Sequence, residues 1–280
     1  MFRFWHELKQ NPIYLRETGR WGEPNPFFAT LNRYSPFIIL GTLLLTMCSC
    51  GSNFSAFGSG DNSQLAAFWI LICLPNLLLQ ALTWVGIIVV PALTAPAVAE
   101  EMKRGSWEIL RLTPMPTWQI LVAKMLGSLA RLKIWWPLLI ASVLQAMGAA
   151  LGLLTAISNF EEGISAALWA LILAITLLIR PWAEIGFAAV VGITISTWAH
   201  SARTALAGSY TAVVAMKMIN TSLLWGGLGF ALGVEDYNDG FVVFLNVAPT
   251  ATYVIVSLLI GLVLLQRANY LDMGHQIIAE

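Results

Sequence analysis

The chain has 280 residues, 58% of them hydrophobic and only 11% charged, and its 15 Lys and Arg balance its 15 Asp and Glu. Soluble domains carry roughly 25% charged residues, so a soluble globular protein is excluded. Zero net charge excludes a nucleic-acid binder.

Uncharged runs cover 34–60, 65–99, 134–160, 204–216 with 218–234, and 241–266. A bilayer core needs about 20 apolar residues per helix, and each run is long enough. The alternating ten-residue segments of a transmembrane barrel are absent. The expected fold is all-α and polytopic, with six transmembrane helices at 34–50, 65–90 continuing towards 99, 133–157, 164–198, 204–232 and 248–267. A segment 1–33 precedes this 34–267 domain and a tail 268–280 follows it.

Taken in chain order, the first segment mixes Phe2, Phe4, Trp5 and Leu8 with Arg3, Glu7 and Lys9. It lacks the 7–15-residue apolar core of a signal peptide. Asn11-Pro12 reads as a helix cap followed by a first-turn proline. Aromatic and basic residues together suit an interfacial helix on a lipid leaflet, and equally a juxtamembrane anchor. Cys48 and Cys50 end the first span as small packing residues, with redox activity as the alternative. With Cys73 they form no metal set.

The run 65–99 holds 35 uncharged residues, about 52 Å as a helix, against a hydrocarbon core of ~30 Å. Pro75, Pro91 and Pro96 are expected to kink or break it. Its end feeds a charged loop, 100–133, with six of the fifteen Lys and Arg residues. Read as one helix, 100–112 groups Glu100, Glu101, Arg104, Glu108 and Arg111 on one face. Met102, Ile109 and Leu110 point the other way, with Trp107 at the edge. Arg104 and Glu108, at i,i+4, are expected to pair. Thr113-Pro114-Met115-Pro116 ends the helix, and Pro116 opens a second one from Thr117. The residues admit two readings: a short rod that transmits force between spans, or a solvated amphipathic loop.

The 164–198 run carries Arg180, Pro181 and Glu184. One kinked helix is preferred over two short ones, because two of about 16 residues would barely cross. Arg180 and Glu184 are i,i+4, and Lys217 lies in the next span. Charges in a bilayer are costly and face a bundle interior or water. A structural Arg180–Glu184 pair, with Lys217 snorkelling or joining it, is the favoured reading; a substrate path or proton relay is the alternative.

Lys and Arg are segregated. Loops 51–63, 158–163 and 233–247 contain none and carry Asp61, Glu161, Glu162, Glu235, Asp236 and Asp239. The positive-inside rule places both termini in the cytoplasm, in a multi-pass protein of the plasma or inner membrane surrounded by lipid. No catalytic set assembles: His6, His200 and His275 lie outside the apolar runs, and there is no H-E-x-x-H or G-x-x-x-x-G-K-[ST]. The chain is expected to be non-catalytic, without metal or cofactor.

The loop reads Glu101, Gly105, Trp107, Glu108, Leu110, Thr113, Pro114, then Lys124 on the returning helix. It resembles the first cytoplasmic loop of type-2 ABC exporter permeases, which runs approximately E-R-E-x-G-T-W-E-x-L-x-x-T-P-L-S. Ser106 replaces Thr, Met115 replaces Leu, Met102-Lys103 replace Arg-Glu, and Pro116 replaces Ser. Asn11-Pro12-Ile13 with Arg16-Glu17, and Gly192-Ile193-Thr194-Ile195-Ser196 before Ser201-Ala202-Arg203-Thr204-Ala205, are similar to the same family. The resemblance implies that Glu101, Gly105, Trp107, Glu108, Leu110, Thr113 and Pro114 form a coupling helix that docks into a cytoplasmic ABC ATPase subunit. ATP and Mg would sit on that partner, and a second permease subunit, identical or different, would complete the assembly. The alternative is a secondary transporter or accessory subunit without an ATPase.

Overall fold

The computed structural model describes residues 6, 10–18, 30, 33–41, 44, 63–113, 115–132, 135–157, 163–220, 224 and 239–279. Cys48, Cys50, Pro114, the loops 51–62 and 158–162, and residues 233–238 lie outside the described residues. Every regular element among those described is a helix. They are α1 (Pro12–Glu17), α2 (Ser63–Thr94), α3 (Pro96–Arg104), α4 (Ser106–Arg111), α5 (Thr117–Ala130), α6 (Trp135–Ile157), α7 (Gly163–Ser196), α8 (Ala202–Met218) and α9 (Asp239–Ala279). Residues 33–41 are also helical.

Three described stretches are long and apolar enough to cross a membrane: Pro75–Arg104, Leu171–Ser196 and Val243–Asp272. Thr117–Ala130 and Trp135–Gly148 meet at 80° and make a fourth if counted as one span. The expected count of six therefore reduces, among the described residues, to three or four. The expected spans 34–50 and 204–232 are described only in part, and 133–157 enters the count only through the bent pair.

The prolines act less than expected. α2 runs through Pro75 and Pro91. The interruption at Ala95 is one residue in helical backbone, and its amide still donates to the Pro91 carbonyl at 2.9 Å. α7 passes through Pro181 as one helix of 34 residues, as preferred over two short ones. α9 does not stop at 267: Ala268 is fully buried, and the expected tail is part of the helix.

α7 is the hub, packing against α9, α6, α2 and α8. Ile185, Phe187, Ala188 and Val191 of α7 meet Leu82, Val90 and Leu93 of α2, Leu138 of α6 and Tyr253 of α9. The approach of α7 to α2 depends on Gly192, where a Cβ would lie 2.0 Å from Thr94 Oγ1. One turn on, the buried Ser196 hydroxyl accepts from the amides of Val98 and Ala99 at 3.1 and 3.0 Å. These first-turn donors of α3 have no partner within their own helix. Ser196 satisfies them from another element, which ties α3 to the end of α7.

Candidate functional site

Two regions gather charge, one at the basic end of the bundle and one within it. At the basic end, Asn11 caps α1, accepting from the Ile13 amide at 2.9 Å ahead of Pro12, as the sequence predicts. α1 then packs along α5. Their contact is close: a Cβ on Gly127 would lie 2.5 Å from Glu17 Cβ. This brings Glu17 of α1 and Glu101 of α3 onto Lys124 of α5. Lys124 Nζ is 2.7 Å from Glu101 Oε1 and 3.3 Å from Glu17 Oε1, and it donates to the Ala97 carbonyl at 3.4 Å. Lys124 is 1% exposed. Arg16 adds a longer contact to Glu101 at 3.5 Å from an exposed position. Asp272 of α9 accepts from the Thr117 amide at 3.4 Å and from its hydroxyl, supplying the cap that Pro116 cannot.

The expected single helix over 100–112 is corrected. Gly105 has φ +72, closes α3 and opens α4. The left-handed turn re-aims everything after it. Arg104 pairs with Glu100 at 3.6 Å rather than with Glu108. The six described residues among the seven expected to dock therefore separate; Pro114 lies outside the described residues. Glu101 is buried on Lys124. Trp107 is 4% exposed and packs with Ile13, Val98, Ile120 and Leu121. Leu110 packs at the edge of that cluster, and the Thr113 hydroxyl donates to the Leu110 carbonyl at 2.6 Å. Gly105 and Glu108 stay exposed. The outward face instead carries Ile109, 68% exposed, and Leu112, 73% exposed. The one-helix reading puts Ile109 on the face opposite the charges. The missed signal was Gly105 itself, a C-terminal glycine just after Lys103 and Arg104 in the last turn.

Within the bundle, Arg180, Glu184 and Lys217 do come together. Glu184 lies mid-way along the Leu171–Ser196 stretch and is buried. Arg180 Nε is 3.3 Å from Glu184 Oε1, and Lys217 Nζ donates to Glu184 Oε2. Lys217 also stands over the Trp84 ring at 5.2 Å. Lys217 thus joins the Arg180–Glu184 pair.

That trio lines a cavity of about 510 Å³ that spacing did not foretell. The amides of Asn76, Gln80, Gln145 and Asn246 face it, with apolar wall from Leu79, Trp84, Leu177 and Pro181. Gln145 Nε2 donates to Asn76 Oδ1 at 3.0 Å, linking α6 to α2. Asn76, Gln80 and Thr83 stand at i, i+4 and i+7, a polar stripe on α2. That stripe was the available signal, hidden by its low density in a long apolar run.

No protein-family model, no curated protein and no solved structure matches this chain.

Proposed function

We propose that this chain is the membrane-spanning permease subunit of an ATP-driven ABC exporter. It would have six spans, both termini in the cytoplasm of a plasma or inner membrane, and a separate ATPase subunit as its motor. A second permease subunit would complete the transport path. The observation that carries this reading is the two-sided build of α4. One side is anchored by the buried Trp107, and the other presents Ile109 and Leu112 beside the exposed Glu108. An anchored rod with an apolar outer face at the basic end suits docking to a soluble partner, where a few apolar anchors supply most of the binding energy.

The anchorage also suits transmission of force. α3 continues the α2 span, and Lys124 ties α3 to α1 and to α5. A push on α4 therefore reaches two membrane helices through buried contacts. ATP binding on the partner would supply that push, and the spans would alternate access. A second reading, secondary transport without an ATPase, draws on Glu184 lining a cavity within the bundle.

The test is co-purification with the ATPase and ATP turnover in nanodiscs. Changing Ile109→Asp and Leu112→Asp together removes the outward apolar anchors without touching the core. Surface changes of this kind stay within about 0.5 kcal/mol each for stability. The expected outcome is at least tenfold weaker ATPase retention, or loss of substrate-stimulated hydrolysis, with an almost unchanged melting temperature. Transport that continues unchanged in this variant, with no ATPase retained by the wild type, would leave secondary transport.

A further inference from the structure

We propose that Arg267, flanked by Trp198 and Tyr270, holds the phosphate of an anionic phospholipid in the leaflet at the basic end of the bundle. The inference goes beyond the exporter reading, because a lipid held on the outside of the bundle needs no ATPase and suits either mode of transport.

The first ground is an unmet cation. The Arg267 guanidinium carbon stands 5.3 Å from the centre of the Tyr270 ring and 5.8 Å from that of Trp198, just past the end of α7. Ring faces attract a cation electrostatically but supply no conventional hydrogen-bond acceptor. Among the described residues Arg267 makes no ion pair, and its buried Nε has no hydrogen-bond partner. Arginine carries five N–H donors in a planar fork that matches a phosphate. A buried donor on a charged group is costly to leave unmet, and an oxyanion on the fork meets it.

The second ground is level. Trp and Tyr concentrate where hydrocarbon gives way to headgroups. Trp198 is 62% exposed and Tyr270 63% exposed. The apolar stretch Val243–Asp272 has 30 residues, about 45 Å as a helix against a hydrocarbon core of ~30 Å. Its end therefore reaches headgroup level, and Asp272 there meets Thr117 at the basic end.

The third ground is an apolar track leading away from the cation. Leu259, Val263, Arg267 and Tyr270 fall within an arc of about 80° on α9. Leu259 and Val263 are both exposed. A lipid with its phosphate on Arg267 lays its acyl chains along them, while a free phosphate gains nothing from them. Asp272, the acid of α9 at this end, is engaged by Thr117, so a head that carries its own ammonium gains no partner from it. This favours an anionic head over a zwitterionic one.

The experiment uses the full chain in dodecyl maltoside. Equal amounts of phosphatidylglycerol and phosphatidylcholine with the same acyl chains are added, and native mass spectrometry counts the lipids retained. The wild type should retain one phosphatidylglycerol with roughly tenfold preference, the size expected of a hydrogen bond between charged groups. Arg267→Gln should abolish that preference, and Arg267→Lys should keep it in weaker form, because charge remains and the fork is lost. Equal retention of the two lipids by the wild type overturns the proposal without any variant having to fold. A preference that survives Arg267→Gln also overturns it. Glycerol phosphate separates the sources: its failure to displace phosphatidylglycerol at equal concentration supports a lipid, and displacement refutes it.

Discussion

The two charged regions are built from the same parts and end in opposite states. At the basic end, Lys124 and Arg16 face Glu17 and Glu101, with Arg131 close to Glu17, and Lys124 is buried. Within the bundle, Arg180 and Lys217 both contact Glu184, beside a cavity of about 510 Å³. Paired charge in a packed setting makes a joint between elements. The basic-end cluster joins α1, α3 and α5, three elements that are not neighbours in sequence. Its counterpart within the bundle joins α7 to α8, with Lys217 also over the Trp84 ring of α2.

The sharpest way to break this comparison is to make one substitution in both places. Lys124→Met leaves Glu101 with the exposed Arg16 and Glu17 with the charge of Arg131. Removing one partner from a buried ion pair commonly costs about 3–5 kcal/mol, a large share of a domain's stability. The expected result is loss of monodisperse protein after extraction. Lys217→Met leaves Glu184 its Arg180 contact, so the expected loss is about 2 kcal/mol, the size of one hydrogen bond to a charged group. Thermal melts in detergent compare the two. Equal losses would mean that both clusters are joints, and the distinction drawn here would fail.

Trp107 gives the next largest effect and corrects an expectation. As a docking residue it would tolerate truncation with little change in stability. As a core residue beside Ile120 and Leu121 it should not. Trp107→Ala is expected to cost about 3 kcal/mol through the cavity left behind. Trp107→Phe should stay within about 1 kcal/mol. Its indole Nε1 is buried with no hydrogen-bond partner among the described residues, so Phe deletes an N–H that bonds to nothing there. A melting temperature unchanged by Trp107→Ala would return this residue to the outer face of α4.

What could be read in the sequence follows from the range over which each feature acts. The Asn11-Pro12 cap and the passage of α7 through Pro181 are local, and both were legible. The Arg180–Glu184 pair is one helical turn, and Lys217 joins it as the residue types suggest. Lys124 stood out only through the family resemblance. Its partners lie 107 and 23 residues away, at a distance where spacing carries no information. The fold alone brings Gln145 to Asn76 and so closes the cavity wall. The error over 100–112 was of another kind. Gly105 was legible as a stop signal, but extending one helical period across it turned the apolar face around. Ile109 was thereby sent inward and Trp107 to the edge.

Gly105 also supplies the smallest expected effect, and it isolates the joint from the rod attached to it. Its φ of +72 is strained for any residue with a Cβ, yet no atom lies within 4 Å of where that Cβ would stand. Gly105→Ala should therefore cost only the left-handed backbone term, about 1 kcal/mol, with no steric addition. Gly105→Asn should cost less, because asparagine tolerates this conformation. Gly127→Ala provides the contrast: its Cβ would meet Glu17 Cβ at 2.5 Å and push α1 off α5. It should lower the melting temperature well beyond Gly105→Ala. The same ranking read by ATPase retention should invert, since Gly105 sets the angle of α4 while leaving the Lys124 joint intact. If Gly105→Ala weakens retention no more than Gly127→Ala does, relative to stability lost, then the orientation of α4 is not what the partner reads.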